Sequence, residues 1–122
     1  MATLAVNDIK TFIGARDFPQ SRAFYEALGC RVNFDDGSLA ELQLGEFRFY
    51  LQNYYHKDWC ENSMLFLAVD SAADWHAHVS TVIESGQHGT ARTDSPRKED
   101  YGALVTYVWD PSGVLLHFAE WE

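Results

Sequence analysis

The feature that most constrains the fold of this chain is an order of elements that reads twice: a strand, a helix and three strands, each time in about 55 residues. The first reading begins at residues 9–15, IKTFIGA, whose alternation puts Lys10, Phe12 and Gly14 on one face and Thr11 and Ile13 on the other. Asp17 then suits a helix N-cap and Pro19 an early helical turn. Ser21, Phe24, Tyr25 and Leu28 form a small-to-apolar stripe that stops at Gly29. Strands are expected at 30–35, 39–44 and 47–52, punctuated by Asp36-Gly37 and Gly45-Glu46; the Asp35-Asp36-Gly37 run reads as a hairpin turn.

The second reading starts with a strand at 64–70. A helix at 71–85 follows, opened by a capping box of Ser71 and Asp74, burying Trp75, Val79, Val82 and Ile83, and stopped by Gly86. A weak polar strand at 90–94, a loop SPRKEDYG, and strong strands at 103–109 and 114–121 complete it. Asp110-Pro111-Ser112-Gly113 joins the last two strands as a tight turn, because Pro presets φ and Gly tolerates the left-handed region. Between the halves, 53–63 (NYYHKDWCENS) has no hydrophobic period and reads as a connector.

These elements specify an α+β protein: one domain, 1–122, made of two βαβββ modules at about 9–52 and 64–121 joined by the connector 53–63. Each module is a sheet with one helix-covered face and one face left to be buried or used. Two such sheets side by side can curve into an open, mixed-sheet cradle around an aromatic-lined cavity, a place for a small molecule.

Charge narrows the partners. Nine basic against eighteen acidic residues give −9, which weighs against nucleic acid and anionic membrane surfaces. The charge would attract a cationic ligand, or it is the ordinary acidic surface of such a domain. Cys30 and Cys60 have neither metal-type nor redox-type spacing and read as reduced, partly buried thiols. The first eight residues lack a basic and apolar leader pattern, and no run of eighteen uncharged apolar residues occurs, so a cytoplasmic location is expected.

Asp17-Phe18-Pro19 with Phe24-Tyr25 and Leu28-Gly29, then Val69-Asp70-Ser71, then Asp110-Pro111-Ser112-Gly113 before the last strand, resemble the vicinal oxygen chelate superfamily over nearly the whole chain. That superfamily includes glyoxalase I, extradiol dioxygenases, and fosfomycin and bleomycin resistance proteins. Its enzymes hold a divalent metal at positions that fall here on Lys10, near Met64, and on His117. A protonated lysine repels a cation and a thioether is a poor ligand for hard metals, which leaves His117 as the one good donor.

The resemblance is closer to the metal-free bleomycin resistance branch, in the Ala15-Arg16-Asp17 entry to the first helix, Tyr101-Gly102, and Asp-Pro-Ser-Gly followed by His117-Phe118. Val32, Asn33 and Ser38 stand where drug binders of that branch carry acidic or aromatic groove residues. The resemblance implies a homodimer that sequesters an aromatic or cationic small molecule, such as a bleomycin-like antibiotic, between subunits, with no cofactor and no metal. The alternative is a glyoxalase-like lyase, isomerase or thiol transferase with an atypical metal site.

Within the cradle, parity places Phe12 and Gly14, Phe66 and Ala68, and Leu115 and Ala119 on the face of Lys10 and His117, with Tyr50, Gln52, Val105 and Tyr107 taken as inward. The expected ligand-binding residues are Tyr50, Gln52, Trp59, Phe66, Tyr101, Tyr107 and His117. His117 would serve as a hydrogen-bonding group or weak base, or be a half-buried histidine bonded to backbone or water. Trp59 and its neighbours Tyr54, Tyr55 and His56 would line a groove or cover a dimer interface, and Tyr101 sits in a charged loop suited to a lid. His76 and His78, two apart on a helix, diverge and cannot share a metal. The sequence has no nucleophile beside a general base, no phosphate-cradling glycine loop and no paired carboxylates at a catalytic spacing.

Overall fold

Asp17 and Ser71 start the two long helices as their sequences dictate. Asp17 Oδ1 accepts the N–H of Gln20 and Ser71 Oγ that of Asp74, each at 3.1 Å. A computed structural model of the chain describes residues 3–122, with elements β1 (Phe12–Gly14), α1 (Phe18–Leu28), β2 (Arg31–Asp35), β3 (Leu39–Leu44), β4 (Phe47–Gln52), α2 (Lys57–Asn62), β5 (Met64–Ala68), α3 (Ala72–Glu84), β6 (Arg92–Thr93), β7 (Arg97–Glu99), β8 (Ala103–Trp109) and β9 (Leu115–Trp121). Helix α1 stops at Gly29, whose φ of 121° no residue with a side chain adopts readily.

The strands form two open mixed sheets, β1-β4-β3-β2 and β5-β9-β8-β6, with β7 also on β8. In both, the first strand of the half runs parallel to the last and the remaining pairs are antiparallel. The repeated order read in the sequence is thus a repeated topology, and the α+β class is the one expected.

Besides shifts of one or two residues at strand and helix ends, four differences from the sequence reading stand out. The first strand is three residues rather than seven, with the Thr11 carbonyl just before it accepting the Tyr50 N–H at 2.9 Å. The connector contains α2, a helix too short to show a period, which buries Cys60 completely. The weak strand at 90–94 shrinks to Arg92–Thr93, and the loop after it contains β7. Both pairs lie on β8, at Trp109 and Val108 for β6 and at Val105 to Ala103 for β7. They take the place that β2 holds in the first half, interrupted around Pro96, which has no N–H to give a ladder.

One core holds both halves together. Phe24, Tyr25 and Leu28 of α1 meet Val79 of α3, Leu42 and Leu51 of the first sheet, and Leu116 and Phe118 of the second. Trp75 stacks on Phe118 with centroids 4.4 Å apart, and His78 Nε2 lies 3.0 Å from the Leu28 carbonyl. The inner faces of the two sheets line the same small void, of about 10 Å³, through Phe49 on one side and Leu65, Leu67 and Leu116 on the other. The outer faces therefore lie on opposite sides of the molecule. Cys30 and Cys60 are both buried free thiols, and no helix among the described residues is long and apolar enough to cross a membrane.

Candidate functional site

The outer face of the second sheet is built by alternation on three strands. β5 contributes Met64, Phe66 and Ala68, β9 contributes Leu115, His117, Ala119 and Trp121, and β8 contributes Ala103, Val105, Tyr107 and Trp109, while the intervening Leu65, Leu67, Val108, Leu116 and Phe118 enter the core. The parity assigned to Phe66, Tyr107 and His117 from sequence is the one observed. His117 lies 5.0 Å from Tyr107 and 6.1 Å from Phe66 between ring centroids; Phe66 lies 5.8 Å from Trp121, and Trp121 lies 5.9 Å from Tyr101. Four of the seven expected residues thus form one continuous aromatic surface.

The polar groups of this surface are few and interlocked. Tyr107 Oη donates to Glu99 Oε1 at 2.7 Å, Arg97 Nε donates to the same oxygen at 2.9 Å, and the Arg97 guanidinium lies 4.8 Å over the Tyr107 ring. The Tyr107 hydrogen bond, then Arg97, hold the Glu99 carboxyl below its usual range. Tyr107 itself is pushed up to about 12, first by desolvation and then by Glu99. Partial burial lowers the His117 pKa, with Glu99 opposing, so the ring is neutral at pH 7. Its Nε2 sits 3.4 Å from Met64 Sδ, and its buried Nδ1 has no hydrogen-bond partner among the described residues.

The other expected residues stand on the first sheet and on α2. Tyr50 and Gln52 are on the outer face of the first sheet, where Phe12 lies 5.0 Å from Tyr50 and Lys10 Nζ lies 5.5 Å over its ring. Trp59 closes over Gly14, where a Cβ would stand 2.5 Å from Trp59 Cζ3, and its ring lies 5.7 Å from Tyr54. Within one chain these three do not meet Phe66, Tyr101, Tyr107 and His117. A cleft of about 640 Å³, mostly apolar, opens between the halves, with Leu44, Phe47 and Arg48 on one side and Phe66, Ala68 and Trp75 on the other, and of the seven expected ligand-binding residues it includes Phe66 alone.

Trp121, Trp109 and the Arg97–Glu99 pair were missed as site residues, and Met64 had been considered as a metal position alone. The two tryptophans share the parity of His117 and Tyr107, so alternation alone could have found them. Arg97 and Glu99 were hidden inside a run read as a loop.

The divalent metal of the wider superfamily does not fit these residues. Lys10 lies before β1, beside the other sheet, paired with Asp8 and with Glu41 at 3.5 Å, and the thioether of Met64 is the side-chain partner of His117 Nε2. Among the described residues no three His, Cys, Asp or Glu side chains are grouped to hold an ion.

Comparison with known proteins gives a consistent picture. No family model matches. A bleomycin resistance protein of Klebsiella pneumoniae is 29% identical over 112 residues, 88% of this chain and 87% of that one. The bleomycin resistance determinant encoded on transposon Tn5 superposes with a TM-score of 0.78 at 25% identity, over 95% of this chain and 99% of that one. A bleomycin-binding protein solved in complex with bleomycin gives a TM-score of 0.79 at 24% identity, over 96% and 100% of the two chains.

Proposed function

We propose that this chain, which has the glyoxalase/bleomycin resistance fold and is similar in sequence to bleomycin resistance proteins, sequesters an aromatic antibiotic and does not convert it. The observation that carries this reading is the run of rings from Tyr107 through His117, Phe66 and Trp121 to Tyr101 on an open sheet face. Rigid aromatic surfaces bind flat ligands at low entropic cost. The polar groups beside them are an ion-paired carboxylate, a phenol that keeps its proton and a neutral imidazole, a set suited to holding a ligand. The chain acts without a bound divalent metal, since its residues at the superfamily's metal positions do not converge.

The working form is a homodimer in which the first-sheet face of one copy closes over the second-sheet face of the other. This brings Tyr50, Gln52 and Trp59 to the same groove as Phe66, Tyr101, Tyr107 and His117. Support comes from the arm before β1, where Leu4, Val6 and Ile9 are 93%, 84% and 87% exposed, and from half-exposed Phe12, Phe66 and Trp121. Apolar surface of this extent calls for a covering partner.

The test is a titration of the purified protein with bleomycin and a panel of unrelated aromatic antibiotics, followed by tryptophan fluorescence and by mass spectrometry of the recovered ligand. Saturable quenching with the ligand returned unchanged is the expected result. A chemically altered ligand, or no saturable member of the panel, would refute the reading.

A further inference from the structure

Few of the acidic residues of this chain stand on the strand positions where a ligand would meet it. Of eighteen carboxylates, two, Glu41 and Glu99, occupy outward positions on the strands. Of nine basic residues, four do: Arg31 and Arg48 on the first sheet, Arg92 and Arg97 on the second. At the outward strand positions basic residues thus outnumber acidic ones, against the −9 formal charge of the whole chain.

The first sheet concentrates this in one row. Arg31 on β2, Gln43 on β3 and Arg48 on β4 stand directly opposite one another in the ladder. Neighbouring strands are about 4.8 Å apart, so the two arginines flank Gln43 about 10 Å from each other, within reach of a common guest for side chains of their length. Arg31 bonds neutral amides only, Asn33 Oδ1 at 2.8 Å and Gln43 Oε1 at 3.1 Å. Among the described residues, neither Arg31 nor Arg48 forms an ion pair with a carboxylate. The other arginines of the strands are committed, Arg97 to Glu99 at 2.9 Å, and Arg92 to the Trp109 ring at 3.5 Å and to Asp94 at 3.9 Å.

We infer that the Arg31–Gln43–Arg48 row is an anion subsite that receives a carboxylate or sulfonate carried by an aromatic ligand. The Arg48 side chain makes no hydrogen bond or ion pair among the described residues, and Arg31 gives Nε and Nη2 to the Asn33 and Gln43 amides, which leaves its Nη1 free; both guanidinium groups therefore keep N–H donors for a guest anion, with Glu41 held off by its bonds to Asn33 and Lys10. The next outward residue of β4 after Arg48 is Tyr50, which lies against Phe12, so the aromatic part of the same ligand has rings beside its charge. The inference rests on the binding reading above and adds the charge of the ligand to it: the polar end is an anion, where overall charge alone argues for a cation.

The experiment compares anilinonaphthalene sulfonate with the cationic dye thioflavin T by fluorescence titration of the full chain, with bleomycin titrated in parallel. The wild type, the double variant Arg31→Gln/Arg48→Gln and the single variant Gln43→Glu are used, the last placing a carboxylate between the arginines. The sulfonate is expected to bind more tightly than the cation, to weaken at least tenfold in both variants and to weaken with added salt, while thioflavin T is weakened by neither variant. Melting temperature and molecular mass in solution are measured for each variant alongside, so that lost sulfonate binding in a folded chain of unchanged mass reads on the subsite itself. Tighter binding of the cationic dye, or sulfonate affinity indifferent to both variants, overturns the anion subsite; saturable bleomycin binding in that case leaves the sequestration reading standing. If neither dye nor bleomycin binds, the subsite and the reading fall together.

Discussion

Tyr25 Oη donates to Asp110 Oδ2 at 2.7 Å across 85 positions of chain, and both residues are buried. The bond ties the first helix to the turn before the last strand. Asp110 also accepts the N–H groups of Ser112 at 2.8 Å and Val114 at 3.0 Å, and Ser112 Oγ in turn accepts the Arg16 N–H at 2.9 Å. Removing the phenol by Tyr25→Phe takes one donor from a buried carboxylate. The expected cost is about 1–3 kcal/mol in urea or thermal unfolding. A variant as stable as the wild type would show that water reaches Asp110.

Burial pushes the Asp110 carboxyl from 3.8 up to about 6, with the Tyr25 hydroxyl and the turn N–H groups opposing. A folded-state pKa above the unfolded one means that the native protein binds this proton more tightly. The group's stabilising contribution is therefore complete below about pH 4 and is lost as pH rises through 6, a change of about 3 kcal/mol across that window. Unfolding of wild type and Asp110→Asn as a function of pH should differ by a curve of that sign, flat above pH 7. A difference curve that climbs from pH 4 to 7 would contradict the burial argument.

How much of this was legible beforehand follows from what each signal needs. Caps, turns and alternation are local, so Asp17, Ser71 and the Asp-Pro-Ser-Gly turn could be placed from neighbours alone. The inward and outward parity of Phe66, Tyr107 and His117 came from the same rule. What could not be read was which sheet face meets which, because that depends on how two halves share one core. Tyr50 and His117 were consequently expected in one cradle, yet they lie on opposite outer faces of the chain. Helix α2 and strand β7 were missed because six and three residues are too few to show a period.

Gly14 is held by space. An added Cβ would lie 2.5 Å from Trp59, 2.7 Å from the Tyr54 carbonyl and 2.8 Å from Cys60 Sγ. Gly14→Ala must displace backbone and ring together, with an expected destabilisation of about 1–3 kcal/mol. A shift in Trp59 emission should accompany the lowered melting temperature, and a silent substitution would mean that α2 is free to move.

For ligand binding, Phe66→Ala and Trp121→Ala remove half-exposed rings from the outer face. Each should weaken the best antibiotic of the panel by tenfold or more, with little change in melting temperature. Because burial lowers the His117 pKa, the binding constant should be level from pH 7 to 8 and change only in acid. A transition centred above pH 7 would point to another group.

The placement of the two outer faces on opposite sides of one core has a genetic consequence. In a symmetric pair, each groove would be completed by unlike faces from different copies, so a lesion on either face spoils both grooves of a mutant dimer. Mixing a chain damaged at Tyr50 with one damaged at His117 would regenerate one intact groove and one doubly damaged groove. Two alleles that each fail alone would then complement when expressed together.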